Sequence, residues 1–314
     1  ASTFDEVFEG VKALPWEDFL PQNAVFPVSG TSFDSQLTSV PALQGVVKKA
    51  AVEAMRRRYH VDIFPENGPS YSIKFTLVRD LCTVLLDTSG SGLHRRGYRQ
   101  ATAEAPLRET LAAGLVQLSY WNAGRPLFDP FCGSATILIE AAMIGLRRAP
   151  GLRRKFASEE WDFVGQRNWQ EARQDAEDQF DRTTKLSLFG SDIDPHVLQL
   201  ANHNIVRAQL HERGIQLQAR PAREFRSHAE FGVMITNPPY GERQSNARDV
   251  EELYTDLGKT MSHLRSWSIY VITSYQGFER AVGVKAGRKR KLYNGALQCT
   301  YFQYPGPKPP SVQR

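Results

Sequence analysis

The sequence has 314 residues, of which 41% are hydrophobic and 23% are charged. This length and apolar content are enough for a large core, and they exclude a chain that is disordered throughout. The 39 Lys and Arg residues exceed the 34 Asp and Glu residues by a net charge of +5, which is too small an excess to indicate a nucleic-acid ligand by itself.

The first predicted elements form a small α/β module within residues 26–87. Apolar residues recur at three- and four-residue steps over residues 39–59, which is typical of a helix. Two strand-like runs follow, YSIKFTLV and LCTVLLD, and a turn at Arg79 and Asp80 joins them. The glycine-rich residues 90–97 then predict a linker.

From residue 105 onward, units of strand, loop and helix alternate, which favours a parallel sheet with helices on both faces. The predicted strands are PLFDPF with its loop, LSLFG, FGVMIT, WSIYVIT and two closing strands near residue 291 and at 298–304. The predicted helices are 106–120, 135–147, 169–182, 195–211 with Asp194 as N-cap, and 250–264. We therefore predict domains at residues 1–90 and 105–314, joined by a linker at 91–104.

Basic residues are unevenly distributed along the chain. A single basic run is usually a solvated face. Several such runs interleaved with aromatic residues instead favour a partner with a phosphate backbone. The runs lie at residues 56–58, 94–99, 147–155 and 285–291, whereas acidic residues concentrate at 159–181 and 249–256.

The N-terminal residues and the cysteines bear on location. The first residues, ASTFDEVFEG, are acidic and lack the features of a signal peptide and an initiator Met, so we expect an N-terminally incomplete chain. The most apolar helical stretch, residues 134–146, is too short to cross a membrane. The widely spaced Cys82, Cys132 and Cys299 match neither a disulfide framework nor a zinc site, so we predict a cytoplasmic protein without a bound metal.

Polar residues follow three of the predicted strands. Asp129 begins DPFCGSAT, Asp192 lies in SDID, and Asn237 begins NPPY. Ligands bind at the carboxyl ends of strands in open α/β sheets, and a carboxylate there can accept hydrogen bonds from ribose hydroxyls. The first two motifs are weak evidence alone, because glycine turns and Asp caps are common. Together the three strand ends predict one pocket.

The order DPFCGSAT, SDID, NPPY resembles the class I S-adenosylmethionine-dependent methyltransferases that methylate exocyclic amino nitrogens. The segments DTSGSGLHRRGYR, APLRETLAA, APGLRRKF and KRKLYNG extend the resemblance over nearly the whole chain, to bacterial THUMP-containing RNA methyltransferases. That group includes the guanine N2-methyltransferases of large-subunit ribosomal RNA. Residues 26–87 resemble a THUMP domain, an RNA-binding module that a ferredoxin-like segment usually precedes.

The resemblance implies the fold, the cofactor and the partner. The fold is α/β, with a Rossmann-like methyltransferase domain that contains a mostly parallel seven-stranded sheet, behind a THUMP-like domain. The cofactor is S-adenosylmethionine and the partner is RNA, ribosomal RNA in particular, with no membrane involved. The oligomeric state stays open.

The resemblance also implies roles for individual residues. One group would bind the cofactor, with Asp192 on the ribose and Ile193 on the adenine: Asp129, Phe131, Gly133, Ser134, Asp192, Ile193 and Asn237. A second group would hold the target base: Asn237, Pro238 and Tyr240.

The NPPY segment suits methyl transfer to an amine. The sulfonium already activates the methyl group, so the protein mainly aligns the attacking nitrogen. We expect the Asn237 side-chain oxygen and the Pro238 carbonyl to accept the two amine protons, and Tyr240 to stack on the extruded base. No general base is assigned, and His196 and His203 are expected at the surface.

The sequence departs from the family pattern in two places. Ala135 stands where glycine is common, which adds one methyl group. Related enzymes often carry an acidic residue for the adenine amino group after the third strand of the family's sheet. At that position this chain reads RPARE, residues 220–224.

Three classes of function therefore stay open. The first is an RNA guanine N2-methyltransferase. The second is an enzyme that methylates DNA adenine or a protein glutamine, because NPPY does not choose the acceptor. The third is a non-catalytic RNA-binding factor that kept the fold.

Overall fold

The structure is a computed structural model that describes residues 1–99, 107–240 and 247–310. The chain forms two compact units: residues 1–93 with 155–175, and residues 94–154 with 176–314. The sequence did not predict that residues 155–175 return to the first unit. The predicted domain limits at residues 90 and 105 stay a prediction.

The first unit packs two helices on a small sheet. It contains α1 (Phe4–Lys12), β1 (Val28–Phe33), α2 (Val40–Tyr59), β2 (Ile73–Val78) and β3 (Leu81–Leu86). β2 lies between β1, which is parallel to it, and β3, which is antiparallel. Alternate residues Ile73, Phe75 and Leu77 of β2 are buried, as the two-residue period of a half-buried strand requires. The predicted helix and strand pair are confirmed, whereas α1 was not predicted.

Residues 155–175 are fixed to the first unit by Trp161. Its ring stacks on Tyr71 with the ring centroids 4.7 Å apart, and its indole N–H donates to the carbonyl of Ser70 at 2.9 Å. A buried indole that is both stacked and hydrogen-bonded is a strong anchor. The following helix α5 (Gln166–Asp178) begins and ends a few residues before the predicted 169–182.

The second unit contains a seven-stranded sheet in the order β6-β5-β4-β7-β8-β10-β9. β10 runs antiparallel to both of its neighbours, β8 and β9, whereas the other neighbouring pairs are parallel. The predicted α/β fold with a mostly parallel seven-stranded sheet is confirmed. The strands are β4 (Leu127–Asp129), β5 (Leu188–Asp192), β6 (Ile215–Ala219), β7 (Val233–Thr236), β8 (Ser268–Thr273), β9 (Arg288–Asn294) and β10 (Leu297–Tyr304).

Helices cover both faces of this sheet. Leu127 and Ile235 belong to the core that contains α3, α4 and α6, whereas Phe128 and Met234 belong to the core that contains α7 and α8. Successive strand residues point to opposite faces, so each strand is buried on both sides. The helices are α3 (Glu109–Gln117), α4 (Thr136–Gly145), α6 (Pro195–Arg207), α7 (Ala247–His263) and α8 (Phe278–Val282).

Two more of the predicted helices have wrong limits. The helix predicted at 106–120 spans Glu109–Gln117, and Pro106 lies outside the described residues. The helix predicted to reach residue 211 ends at Arg207, because Gln209 has a left-handed backbone with φ of 58°. The Asp194 cap of that helix is confirmed, since its carboxylate accepts from the backbone N–H of His196 at 2.8 Å. The described part of the chain contains no helix with the length and apolar content of a membrane span.

Candidate functional site

The three polar strand ends meet at one cavity. Asp192 ends β5, Asp129 ends β4, Asn237 follows β7, and these three strands are adjacent in the sheet. The cavity has a volume of about 1160 Å³. All the predicted site residues line it: Asp129, Phe131, Gly133, Ser134, Asp192, Ile193, Asn237, Pro238 and Tyr240. The structure thus brings them together, while their individual roles stay predictions.

The loop between β4 and α4 leaves room for a ligand. Gly133 has φ of 50°, and nothing lies within 4 Å of the place where a Cβ atom would be. Glycine adopts this left-handed conformation without strain and lets a ligand approach the backbone closely. Ala135, the departure from the family pattern, is also left-handed with φ of 63°, and it is fully buried. Its methyl group therefore faces the core and does not narrow the cavity.

The Asp192 carboxylate connects two loops of the cavity wall. Its Oδ2 accepts from the backbone N–H of Gly133, and its Oδ1 accepts from that of Asp194, each at 3.1 Å. The next side chain, Ile193, is 75% exposed although it is apolar, and it lines the cavity. A carboxylate beside an exposed apolar surface is the set of groups that a ribose and a flat base require.

Asp129 is almost completely buried below the cavity. Its Oδ1 accepts from the Thr236 hydroxyl at 2.6 Å and from the Phe131 N–H at 3.2 Å. Burial raises the pKa of Asp129 to about 7, the nearby Asp192 charge also raises it, and the two hydrogen bonds oppose the shift. Both hydrogen bonds are internal, so the carboxylate links the ends of β4 and β7.

The NPPY segment is held by a residue that the sequence did not identify. The buried Tyr254 of α7 donates its hydroxyl to the Pro239 carbonyl at 3.0 Å, and the same oxygen lies 2.7 Å from the Thr273 hydroxyl. Burial raises the pKa of Tyr254 to about 12, so this hydroxyl keeps its proton at neutral pH. The helix predicted at residues 250–264 includes Tyr254, but the sequence gave no sign of its partner.

The Tyr240 hydroxyl has two polar contacts in addition to the stacking role that was expected for the ring. Its hydroxyl donates to the Asn237 side-chain oxygen, and the Cys299 thiol is 3.8 Å from that hydroxyl. The ring lines the cavity while packing partly against the core. Its role as a stacking surface stays a prediction, and the contact with Asn237 adds a positioning role.

The RPARE segment places no carboxylate in the cavity wall, but α7 does. Pro221, Ala222 and Arg223 line the cavity, and so does Asp256 of α7. Asp256 Oδ2 lies 3.8 Å from Arg223 and its Oδ1 lies 2.8 Å from Lys259. The acidic residue that related enzymes often carry in this segment is absent here. The carboxylate of Asp256, which belongs to α7, lies beside the segment instead.

The basic run at residues 94–99 is only partly a solvated surface. Arg95 is exposed, but Arg96 lies 3.5 Å from the buried Glu140, and Arg99 lies 3.5 Å from the buried Glu109. The expectation of a solvated or phosphate-binding face is wrong for Arg96 and Arg99, because these two side chains form internal ion pairs. His196 and His203, by contrast, are exposed as expected.

Arg99 also reaches the rim of the cavity. It donates to the Leu107 carbonyl at 2.8 Å and to the Thr136 hydroxyl at 2.6 Å. The Thr136 hydroxyl lies 3.1 Å from that of Ser134, and all three of these contacted residues line the cavity. A largely buried cation, 14% exposed at its side chain, thus holds the beginning of α4 in place.

Two family models match the chain. The THUMP domain matches residues 1–87, and the RMKL-like methyltransferase domain matches residues 96–303. The Bacillus subtilis protein named "Putative RNA methyltransferase YpsC" is 45% identical over 97% of this chain and 79% of its own length. The "Ribosomal RNA large subunit methyltransferase K/L" of Psychromonas ingrahamii is 36% identical over 98% of this chain, which spans 42% of that relative.

Two solved structures are similar over nearly the whole chain. A Listeria monocytogenes protein described as a "predicted N6-adenine-specific DNA methylase" has a TM-score of 0.92 and 45% identity, covering 98% of this chain and 80% of that one. The structure described as "SMU.472, a putative methyltransferase complexed with SAH" has a TM-score of 0.91 and 39% identity, covering 99% of this chain and 82% of that one.

Proposed function

The chain belongs to the RMKL-like methyltransferase family and carries a THUMP domain, so it is an S-adenosylmethionine-dependent RNA methyltransferase, and we propose that its acceptor is guanine N2 of large-subunit ribosomal RNA. The observation that carries the proposal is the convergence of DPFCGSAT, SDID and NPPY on one cavity. The name of the Psychromonas relative supports ribosomal RNA as the substrate. Such a substrate agrees with the cytoplasmic location predicted from the cysteine spacing.

The residues present fit the cofactor. Asp192 would hold the ribose hydroxyls, Ile193 would cover one face of the adenine, and the open space at Gly133 would admit the methionine part. Phe131 and Ser134 complete this wall. When bound, S-adenosylmethionine supplies a methyl group that its positive sulfur already activates.

The chain's own contribution is alignment of the acceptor amine. Asn237 lies at the end of β7 with its carboxamide oxygen oriented by the Tyr240 hydroxyl, which occupies one of the two lone pairs. The second lone pair and the Pro238 carbonyl can accept the two hydrogen bonds that the amine donates. The exocyclic amine is already neutral, so no proton has to leave it before it attacks, and the methylated nitrogen releases one proton afterwards. Alignment of this kind contributes much of the rate in bimolecular transfers.

A second candidate is adenine N6 of DNA, which the name of the Listeria structure favours. NPPY can accept two hydrogen bonds from an adenine amine as well as from a guanine amine, so the motif alone does not choose. Shape and hydrogen bonding at the flipped base decide such a choice.

Identification of the methylated nucleoside tests the proposal. Ribosomal RNA, genomic DNA and total protein from cells that lack the protein are incubated with the purified enzyme and S-adenosylmethionine carrying a labelled methyl group, then digested and analysed by mass spectrometry. We expect N2-methylguanosine in large-subunit RNA. Label in N6-methyladenine of DNA supports the second candidate, and label in protein or RNA binding without any transfer contradicts both.

A further inference from the structure

The strand β9 presents a dense row of positive charges at the edge of the large sheet. It pairs only with β10, so its outer backbone edge has no strand partner among the described residues. Arg288, Lys289, Arg290 and Lys291 are consecutive and all are exposed. Lysine on an edge strand can simply prevent aggregation, so the row needs a second observation before it indicates a ligand.

The strand β9 leads directly to the candidate active site. The strand ends at Asn294, and the turn that follows it lines the cavity through Asn294, Gly295, Ala296 and Leu297. Lys291 is three residues from Asn294, which corresponds to about 10 Å along a strand. A polynucleotide with one base in the cavity would therefore have its neighbouring phosphates within reach of this strand.

A second cavity of about 530 Å³ lies beside the first. Leu297 lines both cavities, so it forms a shared wall. The second cavity is mostly polar, with side chains that can bond a base or a sugar. Its other lining residues are Ser274, Tyr275, Gln276, Glu279, Lys289, Gln298, Thr300 and Phe302. The volume is within the range of small-ligand sites.

The register of the two strands shows which face of β9 belongs to this cavity. Lys289 pairs with Phe302, Lys291 with Thr300, and Tyr293 with Gln298. The three partners on β10 line the second cavity, so alternate residues Lys289, Lys291 and Tyr293 share its face. Arg288 and Arg290 lie on the opposite face, opposite Gln303 and Tyr301.

The lysine face has the composition of a site for a single strand. Tyr293 is 54% exposed, and the Lys291 ammonium lies 5.5 Å from the centre of its ring. The Glu279 carboxylate accepts from Lys289 at 2.7 Å and from the Ala286 N–H at 2.8 Å. These two contacts reduce its repulsion of a phosphate. Exposed aromatic rings with interleaved cations are how proteins bind unpaired RNA.

We propose that the second cavity and the lysine face of β9 bind the RNA nucleotides adjacent to the target base. Lys289 and Lys291 contact backbone phosphates, Tyr293 stacks on a flanking base, and the polar residues of the second cavity hold the next nucleoside. This inference rests on the proposed function, since it requires RNA as the substrate. It assigns to this surface the selection of unpaired RNA, which the NPPY segment does not provide.

Two double variants with the same change in charge test the assignment. Lys289→Gln/Lys291→Gln removes two charges from the lysine face, and Arg288→Gln/Arg290→Gln removes two from the opposite face of the same strand. Methyl transfer is measured on deproteinised ribosomal RNA from cells that lack the protein. Binding is measured by fluorescence anisotropy with a labelled unpaired RNA of about ten nucleotides. Calorimetry with S-adenosylmethionine and thermal unfolding verify that each variant is folded.

We expect the lysine-face variant to raise the KM for RNA and the oligonucleotide Kd about tenfold, and the control to change them less than about threefold. The slope of log affinity against log salt should become less negative by about 1.4 in the lysine-face variant, because two phosphate contacts are lost. Cofactor affinity should stay unchanged in both. Tyr293→Ala should also raise the Kd for the oligonucleotide.

The results also separate this inference from the function on which it rests. If the wild-type enzyme methylates RNA and the two double variants behave alike, the inference is overturned while the proposed function stands. If the wild-type enzyme transfers methyl groups only to DNA or protein, both are overturned.

Discussion

The hydroxyl of Tyr240 donates a hydrogen bond to the side-chain oxygen of Asn237, so the first and last residues of NPPY are joined at the cavity wall. A carboxamide can rotate to exchange its oxygen and nitrogen, and only the oxygen can accept an amine proton. The Tyr240 hydroxyl accepts from the Cys299 thiol and donates to the Asn237 oxygen, an arrangement that favours the orientation that the proposed reaction needs.

Tyr240→Phe should lower kcat about fivefold while leaving cofactor affinity unchanged. The loss corresponds to one neutral hydrogen bond of about 1 kcal/mol. The ring stays, so base stacking is retained, and Tyr240→Ala should lower activity further. Steady-state kinetics and calorimetry measure the two quantities. Wild-type turnover in Tyr240→Phe would show that the hydroxyl does not orient the carboxamide.

Asn237→Ala should reduce methyl transfer by about two to three orders of magnitude, the loss typical when a preorganised hydrogen-bonding group is removed from an active site. The cofactor should still bind with nearly wild-type affinity, because Asp192 and the Gly133 loop are untouched. Single-turnover methyl transfer and calorimetry provide the measurements. Near-normal turnover would contradict the role of the Asn237 oxygen.

Asp192→Ala should raise the Kd for S-adenosylmethionine by about ten- to a hundredfold. The variant loses charge-assisted hydrogen bonds, each of about 1.5–3 kcal/mol, and the contact that holds the Gly133 N–H. Asp194→Ala is the matched control, because that carboxylate only caps α6. The control should lower stability by about 1 kcal/mol and leave the Kd unchanged. Equal cofactor affinity in both variants would contradict the ribose assignment.

Asp129 should make the protein less stable as the pH rises from 4 to 7. Its pKa is raised by burial to about 7, so in this window the folded state binds a proton that the unfolded state has lost. Stability should therefore decrease by up to about 1.4 kcal/mol per pH unit for this group. The contribution is fully present below the unfolded-state pKa and is lost as the pH passes through the folded-state value.

Asp129→Asn should flatten this dependence. Both hydrogen bonds to Asp129 go to Oδ1, so an amide oxygen can accept them without burying a charge. Urea unfolding between pH 4 and pH 8 should show the variant gaining stability relative to wild type as the pH rises. Some slope should remain, because burial also raises the pKa of Glu140 to about 7. Parallel profiles for the two proteins would contradict the shifted pKa.

The site was more predictable than the groups that support it. DPFCGSAT, SDID and NPPY are local patterns at strand ends, and parallel strands bring such ends to one edge, so the position of Asn237 followed from the sequence. The Tyr254 contact with Pro239 joins residues far apart in the chain, and no local pattern encodes it.

The strand β6 and the helix α8 were not predicted from the sequence, and each omission has a physical reason. β6 reads IQLQA, and its two glutamines are exposed at the sheet edge, so it lacks the apolar run of the buried strands. α8 has only five residues, which is too short for helical periodicity. The run HRRGYR looked like a solvated basic segment because the partners of Arg96 and Arg99 lie in other elements.

The guanidinium of Arg99 contacts Glu109, Leu107 and Thr136. Arg99→Met should destabilise the protein by about 3–5 kcal/mol, because it leaves the Glu109 carboxylate buried without its cation. Cofactor affinity should fall as well, since Thr136 and Ser134 line the cavity. Arg95→Met, four residues earlier and exposed, is the control and should change neither quantity. Adding Glu109→Gln to Arg99→Met should restore part of the stability, because the uncompensated charge is then removed. Urea unfolding at neutral pH measures all four proteins, and equal midpoints for Arg99→Met and Arg95→Met would show that the run is a solvated surface after all.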